Sequence, residues 1–321
     1  CIVEADEADP GSVSVKVSSL GEPRAVLLER GLWPAFRTRP FGRTPPPDAT
    51  PFAIFVNAVH ASPDAPDPSL VLADQKEAFH LGVTLLRSLT AGDVFVCQSA
   101  GAPLGPVEDR VVFASFSGSM AAGLASTHVD RLCPVGPGRA VWTIGYQDVA
   151  AIGHLFQTGQ YMPERVVAIG GPAASQAKVI RTCLGADIAS IIGTQTTEAL
   201  SGNAIFGREA AYLGRFDDEI TMVSKVAKPV SSPKRHWLTR FKPAQGALIP
   251  THALERALAV DVLAIPLLRA LSVGDSEAAE RLGCLALVEE DMAALSHHCT
   301  SGADYAVLLR HVLDDLMEDA A

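Results

Sequence analysis

Two arginines two residues apart, Arg37 and Arg39, sit inside an aromatic and proline-rich stretch, Gly31–Phe41 (GLWPAFRTRPF). In an extended segment successive side chains alternate, so both guanidiniums would point to one side. A guanidinium offers planar donors suited to a carboxylate, a phosphate or a carbonyl oxygen. Trp33 and Phe36 supply flat apolar walls for a ring. These four residues describe either a site for an aromatic, quinone-like ligand or a loop between domains whose arginines pair with acids. Both readings stand at this point. His128 is a further candidate donor to a ligand oxygen, since the small residues Ser117, Gly118, Ser119, Ala122 and Gly123 lead into it; its alternative is a core or capping histidine.

Other groups carry less. Gly170–Gly171–Pro172 closes a strand-like run, the place where α/β sheets take ligands. It is not GxGxxG, no Walker A sequence exists in the chain, and Pro172 has no N–H to offer a phosphate, so a turn is the better reading. His297, His298 and Cys299 are consecutive, and consecutive side chains diverge on a helix, which makes a poor chelate. The six cysteines (1, 97, 133, 183, 284 and 299) form no CxxC and no zinc-ligand spacing, and they read as reduced thiols. A Ser–His–Asp triad lacks a GxSxG elbow.

The elements that must position these residues follow from periodicity. Phe52–Val59, after the rigid connector Thr44–Pro51, is a buried strand. The stretch Ala73–Leu89 has helical spacing. Asp93–Cys97 and Val111–Phe116 are strands, Ala122–Leu132 a helix, Ala140–Ile144 a strand, Tyr146–Gln157 a helix and Arg165–Ile169 a strand. Strands alternating with helices predict a parallel sheet with helical crossovers, a Rossmann-like α/β layer. From Lys178 to Val226 short strands, including KVIRT, DIASII and EITMVSKV, predict a smaller β-rich module. After Pro250 the chain turns helical, ending in an amphipathic helix over Ala303–Met317. The expected division is a linker or remnant over 1–30, a Rossmann-like domain over 31–177, a β-rich module over 178–250 and a helical domain over 251–321. Ala25–Gly31 is expected to form a short helix.

With 321 residues, 48% hydrophobic and 19% charged, the chain is long enough for several domains and has the composition of a folded protein. A net charge of -10 argues against nucleic acid as a partner. No apolar run approaches the roughly 18 residues of a membrane span. The first residue is Cys1, not Met, which leads us to expect a preceding domain.

Several segments together resemble the A subunit of the bacterial Na+-translocating NADH:quinone oxidoreductase. They are GLWPAFRTRPF (Gly31–Phe41), IFVNA (Ile54–Ala58), AGLASTHV (Ala122–Val129), YQDVAAIGHLFQTG (Tyr146–Gly159), RVVAIGGP (Arg165–Pro172), VIRTCLGA (Val179–Ala186), YLGRF (Tyr212–Phe216), LLRALSVGD (Leu267–Asp275) and LGCLALVEEDMA (Leu282–Ala293). The resemblance covers nearly the whole chain apart from the family's N-terminal domain. It departs at Met120–Ala121, at Thr143–Ile144–Gly145 and in the shortened stretch Ser224–Ala247. The family is in turn similar to the flavin- and NADH-binding subunit of respiratory complex I. There, a glycine-rich loop stands where this chain has GLWPAFRTRP, acids stand where it has Val59–Pro63, and clustered cysteines hold an iron–sulfur centre where it has Cys284 and Cys299 alone. A cubane cluster generally needs four thiolates.

The resemblance therefore implies an α/β scaffold with a Rossmann-like domain, a small β-grasp-like (SLBB) module and a C-terminal helical domain. It implies a peripheral subunit without a cofactor of its own, on the cytoplasmic side of the bacterial inner membrane. The subunit would belong to an enzyme that passes electrons from NADH to ubiquinone while moving Na+, with flavins and iron–sulfur centres in partner subunits. Its partners would be membrane-embedded and other subunits of that complex and ubiquinone, with no metal and no catalytic residue here. Trp33, Phe36, Arg37, Arg39 and His128 are the expected quinone contacts. A structural subunit without a ligand and an independent nucleotide-dependent oxidoreductase remain as alternatives.

Overall fold

The computed structural model describes residues 21–59, 62, 64–118, 120–136, 138–193, 198–205, 207–224 and 246–319. The basic stretch Lys228–Lys242, most of Ser224–Ala247 and the alternating Ser12–Val17 lie outside them.

The first part opens with α1 (Pro23–Glu29), whose Val26 and Leu27 are buried; it is followed by Gly31 at φ +72°. A 3-10 turn (Trp33–Ala35) leads to β1 (Arg37–Arg39). Next come β2 (Ala53–Ala58), α2 (Pro68–Val71), α3 (Lys76–Leu86), β3 (Val94–Gln98), β4 (Val111–Ser115), α4 (Ala125–Leu132), β5 (Val141–Gly145) and α5 (Tyr146–Thr158). The sheet order is β1-β5-β2-β3-β4. β2 to β5 are parallel and β1 runs antiparallel along β5. Central β2, AIFVNA, reads as a continuous apolar run because both of its faces are covered. On one face Ile54 and Val56 meet Phe79, Val83, Val149 and Ile152 of α3 and α5. On the other, Phe55 and Cys97 meet Val129 of α4. Helices α3 and α5 touch through glycines: a Cβ on Gly153 would lie 1.7 Å from the Ala78 carbonyl oxygen.

The second sheet has the order β7-β6-β10-β8-β9, built from β6 (Glu164–Gly170), β7 (Lys178–Cys183), β8 (Glu198–Ser201), β9 (Arg208–Glu209) and β10 (Glu219–Val223), with α6 (Ile188–Ile192) beside it. Two readings need correction here. Sequence order placed the strand around Arg165–Ile169 with the first sheet; as β6 it pairs instead with β7 and β10 in the second. DIASII, read as a strand, is α6, because Asp187 caps it by accepting from Ser190 N at 3.0 Å.

The last part is helical: α7 (His252–Ala257), α8 (Ala264–Val273), α9 (Ser276–Arg281), α10 (Glu289–His298) and α11 (Tyr305–Asp319). Leu267, Leu271, Leu295, Tyr305, Leu309 and Leu313 form its core. The protein is thus mixed α/β, with two sheets and a helical part. No helix among the described residues is long and apolar enough to cross a membrane.

Candidate functional site

In the first sheet β3 lies on one side of β2 and β5 on the other, so the connections reverse between β2 and β5. Ligands of open α/β sheets bind at the carboxyl ends beside such a reversal. In this chain, side chains that reach the second sheet fill that place. The motif YQD starts α5 here. Gln147 Oε1 accepts from Val166 N at 2.8 Å and its Nε2 donates to Val166 O at 3.0 Å, standing in for a strand neighbour just before the β6–β10 ladder begins at Ala168. Asp148, 4% exposed, pairs with Arg165 and lies 3.4 Å from Arg215. Burial pushes its carboxyl up even against the pull of both arginines.

Around this pair the lining is acidic. Ser62, just past β2, donates to Glu219, which burial raises although that hydrogen bond lowers it. Asp218 is pushed up to about 7, chiefly by desolvation and then by neighbouring Glu219. Asp217 accepts from Ser201 Oγ at 2.6 Å and faces Arg208 at 3.4 Å. Desolvation and Asp218 together raise the Tyr146 phenol. A nucleotide phosphate brought here would meet carboxylates rather than a cradle of N–H groups. The Gly170–Gly171–Pro172 sequence forms a turn: Gly171 has φ +103°, and a Cβ there would lie 2.6 Å from Met222 O.

GLWPAFRTRPF divides in two. Its aromatic half points inward. Trp33 and Phe36 pack edge-on with ring centroids 5.4 Å apart, and Trp33 meets Trp142 at 5.3 Å. Trp33 Nε1 donates to Pro45 O at 2.8 Å, and Arg24 lies over the Trp33 ring at 5.2 Å. The cationic half points toward the helical part, and Arg37 and Arg39 do share one side. Arg39, 4% exposed, donates through Nε to Ser126 Oγ at 3.4 Å, and Ser126 donates on to Asp291 Oδ2 at 2.7 Å. The same oxygen accepts from Val288 N at 2.8 Å. Desolvation pushes Asp291 up to about 6 against the attraction of Arg39. Arg37 is half-buried, which lowers its pKa against the fields of Glu290 and Glu289. It donates to Gly42 O at 2.9 Å and stacks over the Phe216 ring at 4.4 Å.

The turn after β1 completes this seam. Arg39–Pro40 is cis, and Phe41 and Gly42 have φ of 76° and 62°. Phe41 packs on the helical core. Arg310 donates to Phe41 O at 2.8 Å while holding Glu289 through two bonds, 2.6 and 2.8 Å. Arg43 pairs with Asp314.

His128 is fully buried on α4. Its Nε2 donates to Ala122 O at 2.8 Å, its ring lies 4.3 Å from that of Phe116, and burial lowers its pKa to about 4. Nδ1 has no partner among the described residues, and with Nε2 donating it is an acceptor. Of the five expected contacts, Trp33, Phe36, Arg39 and His128 are buried in the chain's own packing, and Arg37 is partly exposed. His297 and His298 are exposed neighbours, and no group of three or more metal-ligating side chains is assembled among the described residues. Cys284 and Cys299 are buried, Cys299 with Sγ 3.1 Å from Ser301 Oγ. The sequence reading missed Gln147, Asp148, Arg165, Ser126, Asp291 and Arg310. Asp148 and Arg165 carried a signal, each being a charge set in an apolar run.

The profile of the "NqrA second alpha/beta domain" matches residues 21–161. The chain is 36% identical over 319 residues to the A subunit of the Na(+)-translocating NADH-quinone reductase of Cellvibrio japonicus, covering 89% of this chain and 71% of that protein. It is 37% identical to the same subunit from Neisseria meningitidis serogroup C, covering 99% and 78%. With that of Serratia proteamaculans the identity is 38%, covering 91% and 72%. Among solved structures, a chain of an NAD+-reducing [NiFe]-hydrogenase in the H2-reduced state aligns with a TM-score of 0.46 at 10% identity, over 95% of this chain and 62% of that one.

Proposed function

The chain belongs to the A-subunit family of the Na(+)-translocating NADH-quinone reductase, an oxidoreductase complex, and from that membership we propose that it is a peripheral subunit without a redox cofactor of its own, contributing to quinone binding and to assembly. The complex would pass electrons from NADH to ubiquinone while moving Na+, and this subunit would sit on the cytoplasmic side of the membrane against membrane-embedded neighbours. We read the first sheet as Rossmann-like, of the kind in the flavin subunit of complex I, and the second as a β-grasp-like (SLBB) module.

The observation that carries the reading is the filled, acidic reversal point between β2 and β5. Asp218 and Glu219 offer a phosphate no donor, Arg165 and Arg215 are already spent on Asp148, and the Arg165 and Gln147 contacts fill the carboxyl end of the sheet beside the reversal, where such folds take their ligands. A visible absorption spectrum of the purified protein tests it; bound flavin near one equivalent would overturn it. For quinone, Arg37 is the best placed of the five candidates, because its guanidinium is partly exposed beside the Phe216 ring. Trp33, Phe36, Arg39 and His128 would act behind it by holding the loop and α4.

A second reading, a scaffold without a ligand, draws support from Arg39, Arg43 and Arg310, all of which are engaged between the first sheet and the helical part. Equilibrium titration of a short-chain ubiquinone against wild type and Arg37→Ala separates the two. Saturable binding weakened by the substitution supports a quinone contact. Its absence in wild type within the assembled complex leaves the scaffold.

A further inference from the structure

Among the described residues the two sheets have four edge strands, and three are guarded. β1 has three residues, two of them arginine, and is followed by Pro40; Thr38 N is taken by Arg43 O at 2.8 Å and Thr38 O by Gly42 N at 3.0 Å. β7 carries Lys178 and Arg181, and β9 is only Arg208 and Glu209. Charge, shortness and proline are how native sheets keep their edges from pairing with other chains. β4, VVFAS, has none of these over five residues.

Its outer edge is also open. Val94 N donates to Arg110 O at 2.8 Å and Phe116 N to Gln98 O at 2.9 Å. The even-numbered residues between them therefore bond to β3, and the N–H and C=O groups of Phe113 and Ser115 point away from it. Among the described residues no hydrogen bond reaches those outward groups. Val112 is 39% exposed and Val107, just upstream, 81%.

We propose that β4 is a strand-addition site, taking an extended, uncharged or basic segment of a neighbouring subunit along its outer edge. Alternating N–H and C=O groups along a strand are matched by another extended backbone, with side-chain fit supplying selectivity. The net charge of -10 makes a second copy of this chain a poor partner. Asp109, exposed two residues before the strand, likewise disfavours an acidic segment, since the intervening Arg110 donates inward to Thr90 O at 3.0 Å. The source of the segment rests on the reading of this chain as one subunit of a complex; the openness of the edge does not.

Hydrogen exchange measured by mass spectrometry on residues 111–116, in the isolated full chain and in the assembled complex, tests the proposal. Fast exchange of the Phe113 and Ser115 amides in the isolated chain, slowed by about 100-fold or more in the complex, is expected, while the Val112, Ala114 and Phe116 amides, bonded to β3, exchange slowly in both. Ser115→Pro removes one outward N–H and leaves the bonds to β3 intact. It should cut recovery of the chain with the complex by about tenfold at an unchanged melting temperature of the isolated chain. If that variant misfolds, Val112→Lys, which keeps every backbone donor and adds the charge that edges ordinarily carry, should lower recovery in the same direction. Slow exchange already present in the isolated monomer would mean that the chain covers its own edge. A dimer of the isolated chain abolished by Ser115→Pro would mean that a second copy does. Either result, or unchanged exchange in a complex that contains the chain, overturns the proposal. A complex that fails to take up even wild type would overturn the subunit reading instead.

Discussion

Asp291→Asn isolates the seam between the helical part and the first sheet. Asp291 is 3% exposed, accepts from Val288 N and Ser126 Oγ at 2.8 and 2.7 Å, and faces Arg39. Desolvation outweighs that arginine and raises the carboxyl from 3.8 to about 6. A carboxyl whose folded pKa is raised holds its proton more tightly in the folded state. Its contribution to stability is therefore fullest below the unfolded value and is lost as pH rises through about 6. At about 1.4 kcal/mol per pH unit, the difference between the two values is worth about 3 kcal/mol. Asparagine keeps a carbonyl oxygen for both donors and cannot ionise. Urea unfolding followed by far-UV circular dichroism should show the variant within about 1 kcal/mol of wild type near pH 4. Between about pH 4 and about pH 7.5, wild type should lose about 2 kcal/mol relative to it, the rest of the difference lying below pH 4. Asp148, Asp218 and Glu219, which burial also raises, titrate in both proteins and cancel in the difference. Parallel profiles, or a wild type that gains on the variant as pH rises, would show that Arg39 stabilises the ionised carboxylate at least as much as burial penalises it, and the argument would fail.

Two further outcomes concern the first sheet. Gly153→Ala places a Cβ 1.7 Å from Ala78 O and 2.9 Å from Gly82 N, so α3 and α5 must separate; a loss of about 1–3 kcal/mol, read as a lower melting temperature, is expected. Trp33→Phe keeps the ring packing against Phe36 and Trp142 but removes the 2.8 Å bond to Pro45 O; the buried carbonyl left behind should cost about 1–3 kcal/mol in denaturant unfolding, with assembly into the complex unchanged.

Much of the architecture was legible in the residues. The apolar run of β2 and the 3.6-residue periods of α5 and α11 depend on local spacing, which sequence displays directly. The i, i+2 placement of Arg37 and Arg39 stated that they would share a side, and alternation along β1 sets Arg39 against Ser126 of α4 and Arg37 in the field of Glu289 and Glu290 of α10. GLWPAFRTRPF and YQDV stood out as unusual stretches, and each now has a physical role. The first joins the first sheet to the helical part, and the second joins it to the second sheet. DIASII was ambiguous because a short apolar run fits helix and strand alike, although the Asp187–Ser190 spacing carried a capping signal.

What the arginines face was decided only by tertiary structure. Asp291 is about 250 positions away from Arg39, and no local pattern links them. The same holds for the membership of β6, whose apolar sequence suits the middle of either sheet and whose neighbours were settled by pairing with β7 and β10. Trp33 and Phe36 were identifiable as ring walls, but Trp142, which lies more than a hundred residues on, turns them inward. Sequence determined which side chains were present and how they alternate; the long-range packing of three parts determined which of them are spent on the interior and which, like Arg37 and the outer edge of β4, are left facing outward.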